Sequence, residues 1–267
     1  MGMPQNLFLV RHGQSEANVM QKATKNGDDS YYTDEIMTVP DRAWRLTEKG
    51  VHQAQTIGTI IPKMIHNKFD RTMVSPYVRT RETAAQLQLE QPNWEENRVI
   101  RERSWGEISS IPRSQFKNDY PRNAALKEND PLYWTPPAGE SIANVAENRV
   151  RNLLDTLHRE CNGKNVLLVT HGDFIWATRL TLERWSDEEF LKRDNDPNER
   201  IKNCEVFQYS RINPITGAYA DKLKWIRRGY PNDDGTVTVT GWYGFERPTY
   251  TNEELLTRAK EYTHNLK

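Results

Sequence analysis

The sequence lacks several features that would point to particular classes of protein. Only two of its 267 residues are cysteine, Cys161 and Cys204, and they have neither metal-site spacing nor a paired redox motif. We expect both thiols to be reduced and buried as small apolar side chains. No run of about eighteen apolar residues occurs, and residues 1–7 form neither a basic nor an apolar leader segment. We therefore expect a cytoplasmic protein without a membrane partner.

Neither sign of charge is in excess, because lysine plus arginine and aspartate plus glutamate number 37 each. A balanced chain creates no net field that attracts a polyanion, so we expect no nucleic-acid partner. The short basic cluster at residues 225–228 is expected to be solvated surface, since 28% of the chain is charged.

The residues available for a core are few but bulky. The hydrophobic fraction is 36% and the mean hydropathy is -0.87, yet the chain holds eight Trp, eleven Tyr and seven Phe. Aromatic side chains bury large areas, and a chain of this length can form one large domain. We expect a globular protein with a very polar surface.

Two apolar runs, typical of buried strands, each end in a histidine followed by a glycine. Residues 6–10 lead into Arg11 and His12, and residues 165–170 lead into His171. Ligands of open α/β sheets bind beyond the carboxyl ends of the strands. A single histidine there is more often a hydrogen-bonded core residue, but two of them with arginine nearby outline a phosphate pocket.

Helical patterns alternate with the strand patterns. Apolar residues recur at three- and four-residue spacing over residues 47–64, where Pro62 should kink or end the helix. A strand pattern at 69–74 precedes a helical pattern at 78–89. Ser141 can N-cap a further helix before the strand pattern at 165–170. This alternation predicts an α/β protein with three α/β/α layers and a mostly parallel central sheet.

The remaining segments predict elaborations of this core. Residues 24–45 have no clear period and are expected to form an ordered insertion that can line a pocket, and the loop-rich stretch after Glu102 up to Pro137 is expected to form a cap or subdomain. Residues beyond 213 give little signal apart from a helix at 252–264. The expected organisation is one domain over 1–267, with its core at about 6–210, insertions at about 24–45 and 107–138, and a C-terminal elaboration at about 211–267.

The residues around His12 resemble a family signature. Segment 9–18, LVRHGQSEAN, is similar to the signature of the histidine phosphatase superfamily, which includes phosphoglycerate mutases and fructose-2,6-bisphosphatases. Other segments resemble family blocks in the same order, at 46–50 with 53–54, 75–79 with 83–84, 101–103 with 106, 139–141, and 169–172. The resemblance spans about residues 6–210 and implies a phosphoglycerate mutase-like fold with cap insertions.

The resemblance implies a set of catalytic residues. His12 resembles the nucleophile, Arg11 and Arg79 the guanidinium clamp, His171 the second pocket histidine, and Glu102 the acid that protonates the leaving group. Neutral imidazole is a good nucleophile near neutral pH, and arginine offers phosphoryl oxygens a planar, permanently charged donor pair. We expect a carbonyl near Gly13 to hold the second ring nitrogen of His12, and His171 to be an imidazolium when a dianion is bound.

Further residues are expected to border the substrate, namely Gly13, Asn18, Arg103, Ser141 and Gly172. Arg103 would be available to a carboxylate or a second phosphate. Without the resemblance, Glu102 is explained by a charged surface and Asn18 by a helix-surface amide. The chain shows no cluster of carboxylates, histidines or cysteines suited to a metal, so we expect neither metal nor cofactor.

The expected function is metal-independent hydrolysis of a small phosphorylated substrate through a phosphohistidine on His12. A phosphomutase of the phosphoglycerate mutase type shares that chemistry, but residues 111–136 lack the adjacent arginine pair of the mutase pattern and offer Arg113, Lys117 and Arg122 instead. A non-catalytic phosphate-binding module is a third alternative. The substrate and the oligomeric state have no signature in the sequence.

Overall fold

The structure is a computed structural model that describes residues 1–65 and 68–260. Its strands are β1 (Asn6–Arg11), β2 (Arg71–Val74), β3 (Trp94–Glu96), β4 (Asn165–Thr170), β5 (Val206–Ser210), β6 (Trp225–Pro231), β7 (Val237–Val239) and β8 (Tyr243–Gly244). Its α-helices are α1 (Glu16–Lys25), α2 (Asp34–Met37), α3 (Glu48–Gly58), α4 (Ile61–Ile65), α5 (Val78–Gln86), α6 (Arg113–Asp119), α7 (Pro121–Asn129), α8 (Ile142–Asn144), α9 (Arg151–Glu160), α10 (Gly172–Glu183), α11 (Asp187–Asp194) and α12 (Asn252–Ala259). A π-helical segment, Val145–Val150, joins α8 to α9.

All of these strands belong to one sheet whose parallel part positions both histidines. The spatial order is β3-β2-β4-β1-β5-β6-β7, and β8 also pairs with β6. Strands β3, β2, β4 and β1 are parallel to one another, whereas β5 to β8 extend the sheet by antiparallel pairing. In the register of β1 and β4, Asn6 lies opposite Asn165 and Arg11 opposite Thr170. The residues that follow these two strands therefore leave the sheet at the same edge.

Side chains of each strand alternate between two apolar cores, one on each face of the sheet. On β1, Leu7 and Leu9 pack into the core that α9 and α10 cover, while Phe8 and Val10 pack into the core that α3, α4 and α5 cover. All four side chains are fully buried. This arrangement confirms the predicted three-layer α/β/α architecture around a parallel sheet core.

Capping residues explain where two of the predicted helices begin. Thr47 Oγ1 accepts a hydrogen bond of 3.1 Å from the backbone N–H of Gly50 at the start of α3, and Ser141 Oγ accepts one of 2.9 Å from Asn144 at the start of α8. The predicted break at Pro62 is present as the gap between α3 and α4. Pro62 stands in the first turn of α4, where its missing N–H leaves no hydrogen bond unmade.

Two regions contain more regular structure than the sequence indicated. The stretch expected to be loop-rich up to residue 137 holds α6 and α7, and the stretch from 211 onward adds β6, β7 and β8. The expectation of a solvated surface at 225–228 is wrong, because these residues lie in β6. Ile226 there is fully buried, and Arg228 Nε lies 2.6 Å from Oε1 of the buried Glu205.

Other predictions concern the cysteines, the terminal helix and the membrane. Cys161 and Cys204 are both buried and form no disulfide, as expected. Helix α12 begins at the predicted residue, but the part of the predicted helix from 261 to 264 lies outside the described residues. Among the residues that the structure describes, none of the helices has the length and apolar character needed to cross a bilayer.

The loop after β1 packs directly against the first turn of α3. A Cβ atom on Gly13 would lie 2.4 Å from the carbonyl oxygen of Gly50, and a Cβ atom on Gly50 would lie 2.1 Å from that of Gln14. Gln14 O also accepts a hydrogen bond of 2.9 Å from the backbone N–H of Thr47. Only glycine permits so close an approach of two backbones, and this contact fixes the chain that follows His12.

Gly50→Ala is therefore expected to lower the free energy of unfolding by about 1–3 kcal/mol, because the added methyl group must push the loop after β1 away from α3. Denaturant titration measures the loss. Gly241→Ala is the matched control, since a Cβ atom at Gly241 meets nothing within 4 Å. Equal stability of the two variants would contradict the importance of this contact.

Candidate active site

His12 and His171 face each other beyond the carboxyl ends of β1 and β4. Their ring centroids are 5.2 Å apart, and the two residues are 2% and 0% exposed. Arg79, at the start of α5, is 3% exposed, and its Nε lies 3.3 Å from His12 Nε2. Glu102 Oε2 lies 3.8 Å from His171 Nδ1. The structure thus brings four of the five predicted catalytic side chains into one buried space, with Arg11 beside them.

His12 is held as a neutral imidazole with one nitrogen free for chemistry. Its Nδ1 lies 2.8 Å from the carbonyl oxygen of Gly13, and only an N–H group can form this hydrogen bond. The lone pair therefore resides on Nε2, which accepts the hydrogen bond from Arg79. Burial and the positive charges of Arg79 and Arg11 lower the pKa of His12 well below its ordinary value. The predicted carbonyl contact at Gly13 is present.

The two arginines reach this space from different elements. Arg79 Nη1 donates a hydrogen bond of 2.6 Å to the carbonyl of Asp41 and lies 3.2 Å from its carboxylate. Arg11 Nη1 donates one of 2.6 Å to the carbonyl of Ile201, and the pKa of Arg11 is lowered by burial, although a guanidinium stays charged. Arg11 Nε is buried without a hydrogen-bond partner among the described residues, so it has a proton to donate to a phosphoryl oxygen.

His171 has one ring nitrogen engaged and one pointing into the pocket. Its Nε2 lies 2.8 Å from Ser75 Oγ, whereas Nδ1 is buried and has no hydrogen-bond partner among the described residues. Burial and the charge of Arg79 lower the pKa of His171 well below its ordinary value. These surroundings favour neutral imidazole, so the imidazolium expected from the sequence requires the added charge of a bound dianion.

Glu102 lies in the pocket and not on the charged surface that its sequence neighbours suggest. Its side chain is 15% exposed, and its Oε1 accepts a hydrogen bond of 3.0 Å from the backbone N–H of Arg103. Burial and the nearby carboxylate of Asp173 raise the pKa of Glu102 to about 8. A carboxyl group with such a pKa carries its proton at neutral pH and can serve as a general acid.

Arg149 and Glu140 hold the backbone on both sides of Glu102. Arg149 Nη1 donates a hydrogen bond of 2.6 Å to the carbonyl of Arg101, and its Nη2 donates one of 3.3 Å to the carbonyl of Glu102. Glu140 Oε2 accepts bonds of 2.9 Å from Arg149 Nη2 and from the backbone N–H of Ser104. The position of the acidic side chain therefore depends on this buried ion pair.

Sequence reasoning missed Arg149. It is 8% exposed and lies in the π-helical segment, a rare conformation that is found frequently at functional sites. The available signal was an arginine placed among the apolar residues Val145 and Val150 of a predicted amphipathic helix. Asp173, which follows Gly172 in the first turn of α10, was missed as well, although its carboxylate raises the pKa of Glu102.

The predicted substrate-bordering glycines lie at the pocket. The backbone N–H of Gly13 donates a hydrogen bond of 3.0 Å to Thr83 Oγ1, so this donor is already used within the protein. Gly172 begins α10, and a Cβ atom there would lie 3.4 Å from Arg11 Nε. Because Gly172 has no side chain, this side of the Arg11 guanidinium stays uncovered.

The structure uses Ser141 and Asn18 for helix capping. Ser141 is 2% exposed and its Oγ is engaged with the N–H of Asn144, so it lies in a cap and not against a substrate. Asn18 Oδ1 accepts hydrogen bonds of 3.2 Å from the N–H of Ser15 and 3.0 Å from Asn203 Nδ2. The amide oxygen of Asn18 therefore stabilises the loop after β1.

Arg103 lies between the pocket and the predicted cap. It is 5% exposed, its Nε is 2.9 Å from Asp173 Oδ2, and its guanidinium carbon lies 3.9 Å from the ring centroid of Trp105. Since Asp173 directly follows Gly172, this contact places Arg103 near the pocket, and its role beside a substrate stays a prediction.

The polar side chains that face the pocket can be interpreted either as a metal site or as an anion site. His12, Glu102 and His171 each offer a ligand atom, and these atoms lie within 4.8 Å of one another. However, Arg11 and Arg79 face the same space, and two guanidinium charges in a buried site repel a divalent cation. The residues present therefore fit phosphoryl oxygens better than a metal ion.

Comparison with known sequences agrees with this geometry. The family model of the histidine phosphatase superfamily (branch 1) matches residues 7–209. A phosphoglycerate mutase-like protein of Arabidopsis thaliana is 28% identical over 225 residues, which are 77% of this chain and 66% of the plant protein. A 2,3-bisphosphoglycerate-dependent phosphoglycerate mutase of Bradyrhizobium diazoefficiens is 28% identical over 193 residues, 70% of this chain and 86% of the mutase.

Solved structures share the fold. A mycobacterial glucosyl-3-phosphoglycerate phosphatase superposes with a TM-score of 0.59 at 20% identity, covering 90% of this chain and 99% of its own. The alpha-ribazole phosphatase from Shigella flexneri superposes with a TM-score of 0.60 at 19% identity, covering 82% and 96%. At such identities the likeness concerns architecture alone, and it confirms the phosphoglycerate mutase-like fold.

The raised pKa of Glu102 predicts a pH-dependent cost in stability. Its carboxylate form is disfavoured in the folded state, so this group makes the protein less stable as pH rises from 4.5, its ordinary value, to about 8. Glu102→Gln removes the ionisation, and its Tm relative to wild type should therefore increase over that window. Thermal melts at about pH 5 and about pH 8.5 bracket it.

Glu128→Gln, at an exposed position of α7, is the matched control. Its Tm difference from wild type should not vary with pH in this way. If the two variants behaved alike, Glu102 would not have the raised pKa that its burial beside Asp173 produces.

Proposed function

Since the chain belongs to the histidine phosphatase superfamily, whose members are phosphatases or mutases, we propose that it is a metal-independent phosphatase that hydrolyses phosphomonoesters through a phosphohistidine on His12. The observation that carries the proposal is the state of His12. Its ring is neutral, its Nδ1–H donates to Gly13 O, and its Nε2 carries the lone pair and accepts a hydrogen bond from Arg79 in a buried space. This arrangement prepares an imidazole for attack on phosphorus.

In the first step, His12 Nε2 forms a bond to phosphorus while the ester P–O bond breaks. Glu102, which is protonated at neutral pH, transfers its proton to the departing alkoxide oxygen. In the second step, Glu102 as carboxylate removes a proton from water, the water oxygen bonds to phosphorus, and the P–N bond to His12 breaks. Inorganic phosphate leaves, and Glu102 is again protonated.

Negative charge on the transferring group is stabilised by donors that are fixed before the reaction. Arg79 and Arg11 are anchored by the carbonyls of Asp41 and Ile201, and Arg11 Nε, which has no hydrogen-bond partner among the described residues, is left for a phosphoryl oxygen. His171 has its Nδ1 aimed at the same space. Preorganised donors of this kind are typically the largest contribution to catalysis of such displacements.

A phosphomutase is the second candidate, because curated relatives over most of this chain are phosphoglycerate mutases. It uses the same first step and returns the phosphoryl group to product in place of water. The lack of an adjacent arginine pair in residues 111–136 favours the hydrolase. The binding-module alternative has no support, since the site retains both the nucleophile and the acid.

Further parts of the proposal concern the cap and the partner. Insertions 24–45 and 107–138 would form one cap of a single domain, because Asp29 and Thr24 contact Ser114 and Arg113 across them. The substrate would be a small phosphorylated molecule, and the two buried thiols suit a cytoplasmic location.

The phosphohistidine is tested by brief incubation with a phosphate-labelled ester followed by rapid denaturation. We expect acid-labile, alkali-stable label on the wild-type protein, formed equally in the presence of EDTA, and none on His12→Ala. Label on serine or cysteine, or full turnover by His12→Ala, would contradict the proposed mechanism. If activity required an added divalent metal, the interpretation of His12, Glu102 and His171 as a metal site would be favoured instead.

Glu102 is tested as proton donor through the leaving group. An alkyl alkoxide leaves poorly without a proton, whereas p-nitrophenolate is a far weaker base, so Glu102→Gln should lower kcat for alkyl phosphates by about a hundredfold or more and for p-nitrophenyl phosphate much less. KM is measured alongside, because only a selective loss in kcat supports proton donation. Equal losses on both esters would assign Glu102 to electrostatics or positioning.

Product analysis separates the two candidate functions. A hydrolase releases inorganic phosphate in amounts equal to the substrate consumed. A mutase instead converts a phosphoglycerate to its isomer with little release. Isomer formation without phosphate release would overturn the hydrolase in favour of the mutase while leaving the role of His12 intact.

A further inference from the structure

The segment 199–205, which lies between α11 and β5, holds both the main chain and the side chain of Arg11. The backbone N–H of Arg11 donates a hydrogen bond of 3.0 Å to the carbonyl of Glu205. At the other end of the side chain, Arg11 Nη1 donates one of 2.6 Å to the carbonyl of Ile201. The direction of the Arg11 guanidinium therefore depends on where this segment lies.

The same segment holds the main chain of His12. The carbonyl oxygen of His12 accepts hydrogen bonds from Asn203 Nδ2 at 3.1 Å and from the backbone N–H of Cys204 at 3.3 Å. Cys204 has a φ of 56°, a conformation that costs free energy for a residue other than glycine and persists only where surrounding contacts impose it. Contacts from outside the segment must therefore fix its path.

Glu205 provides one such contact through a fully buried carboxylate. Its Oε2 accepts a hydrogen bond of 2.7 Å from the backbone N–H of Lys202, and its Oε1 accepts one of 2.6 Å from Arg228 Nε in β6. A buried carboxylate is costly unless a cation pairs with it. Within residues 1–65 and 68–260, Arg228 alone forms an ion pair with Glu205.

Arg228 is itself connected to the other end of the segment. Its Nη1 lies 3.8 Å from Glu199 Oε2, and the same oxygen lies 2.7 Å from Nη1 of the buried Arg179. The backbone N–H of Arg228 donates a hydrogen bond of 2.9 Å to Thr240 Oγ1, which holds this residue in β6. Both ends of the segment are thus joined to one arginine.

A second cation lies within the field of Glu205, namely Arg11. Burial lowers the pKa of Arg11, and the negative charges of Glu102, Asp173 and Glu205 oppose that shift. Nevertheless Arg11 Nε has no hydrogen-bond partner among the described residues. The ion pair with Arg228 compensates the charge of Glu205, and this leaves the Nε–H of Arg11 available to an anion.

We propose that Arg228 is a positioning residue for the phosphate pocket: its ion pair with Glu205 holds the segment 199–205 in place and prevents Glu205 from pairing with Arg11. This inference rests on the proposed function, because it takes the space beside Arg11 to be the phosphate site. Arg228 lies beyond residue 209, where the family match ends, so the family resemblance assigns it no role.

Binding of inorganic phosphate, measured by isothermal titration calorimetry, tests the proposal without turnover. Arg228→Met keeps an apolar stem but leaves Glu205 without its cation, so Glu205 should pair with Arg11. We expect the Kd of phosphate to rise by about tenfold or more, the scale of one charge-assisted hydrogen bond. Arg228→Gln, whose amide can still donate to Glu205, should change the Kd in the same direction but less. An unchanged Kd in both variants would overturn the proposal.

A second substitution separates pairing of Glu205 with Arg11 from a general loss of structure. In the double variant Arg228→Met/Glu205→Gln the unpaired charge is absent, and the amide oxygen can still accept the hydrogen bond from Lys202. We expect this double variant to recover most of the wild-type affinity for phosphate. If Arg228 only stabilised the fold, the double variant would bind phosphate no better than Arg228→Met, and that result would refute the proposal.

Arg227→Met is the matched control, because Arg227 precedes Arg228 in β6 and its side chain lies on the opposite face of the sheet. Its Nε donates a hydrogen bond of 2.7 Å to Gln208 Oε1, and its Nη2 donates one of 2.7 Å to the carbonyl of Met64. Its loss should lower the free energy of unfolding and leave the Kd of phosphate unchanged. An equal rise in Kd for both variants would contradict a specific role of Arg228.

Hydrolysis of p-nitrophenyl phosphate reports separately on the proposed function. Phosphate affinity that depends on Arg228, without hydrolysis by the wild type, would contradict the phosphatase and support the positioning role. Hydrolysis by the wild type, with equal phosphate affinity in wild type and Arg228→Met, would support the phosphatase and contradict the positioning role. A wild-type protein that binds no phosphate would contradict both.

Discussion

Parallel pairing of β1 with β4 is the constraint on which the site depends. Because the two strands are in register, His12 and His171 leave the sheet at one edge, and the helices on both faces bury them there. Burial then has opposite effects on the protonation of His12 and of Glu102. It disfavours the charged form of each, so His12 loses its proton and Glu102 keeps it at the same pH. One desolvated environment thus gives both the neutral imidazole and the protonated carboxyl group that the proposed mechanism needs.

The guanidinium of Arg11 depends on segments far away in the sequence. Ile201 O accepts its hydrogen bond, and Asn203 Nδ2 donates to the carbonyl of His12 at 3.1 Å. Buried ion pairs on both sides fix the segment that carries these residues, with Arg179 2.7 Å from Glu199 and Arg228 2.6 Å from Glu205. Arg228 belongs to β6, beyond the end of the family match at residue 209. The C-terminal strands therefore support the edge of the sheet that carries the candidate site and are more than an addition to the sheet.

Sequence patterns predicted the parts of the molecule that repeat a local rule. Apolar runs located β1 and β4, spacing and capping located α3 and the helix after Ser141, and the motifs brought His12, Arg79 and His171 together. The patterns failed where distant contacts decide the structure. Strand β6 contains Arg228, which pairs with the buried Glu205 just before β5, and the cap helices have no strong apolar face. Arg149 and Asp173 were missed for the same reason, since their roles come from contacts with Glu102 and Arg103 that lie far apart in the chain.

In the proposed mechanism, the fate of the phosphohistidine depends on what surrounds the alcohol product. His12 is 2% exposed and His171 is fully buried, so the phosphohistidine of the proposed mechanism would form in a largely buried space. After the first step, water must replace the alcohol product beside phosphorus for hydrolysis to occur. A site that holds the alcohol firmly prolongs its stay and favours return of the phosphoryl group, whereas a weaker hold lets water replace it. In the proposed mechanism the histidines perform the same first step in either case, so we expect the residues that hold the alcohol product, and not the histidines, to decide between hydrolase and mutase chemistry.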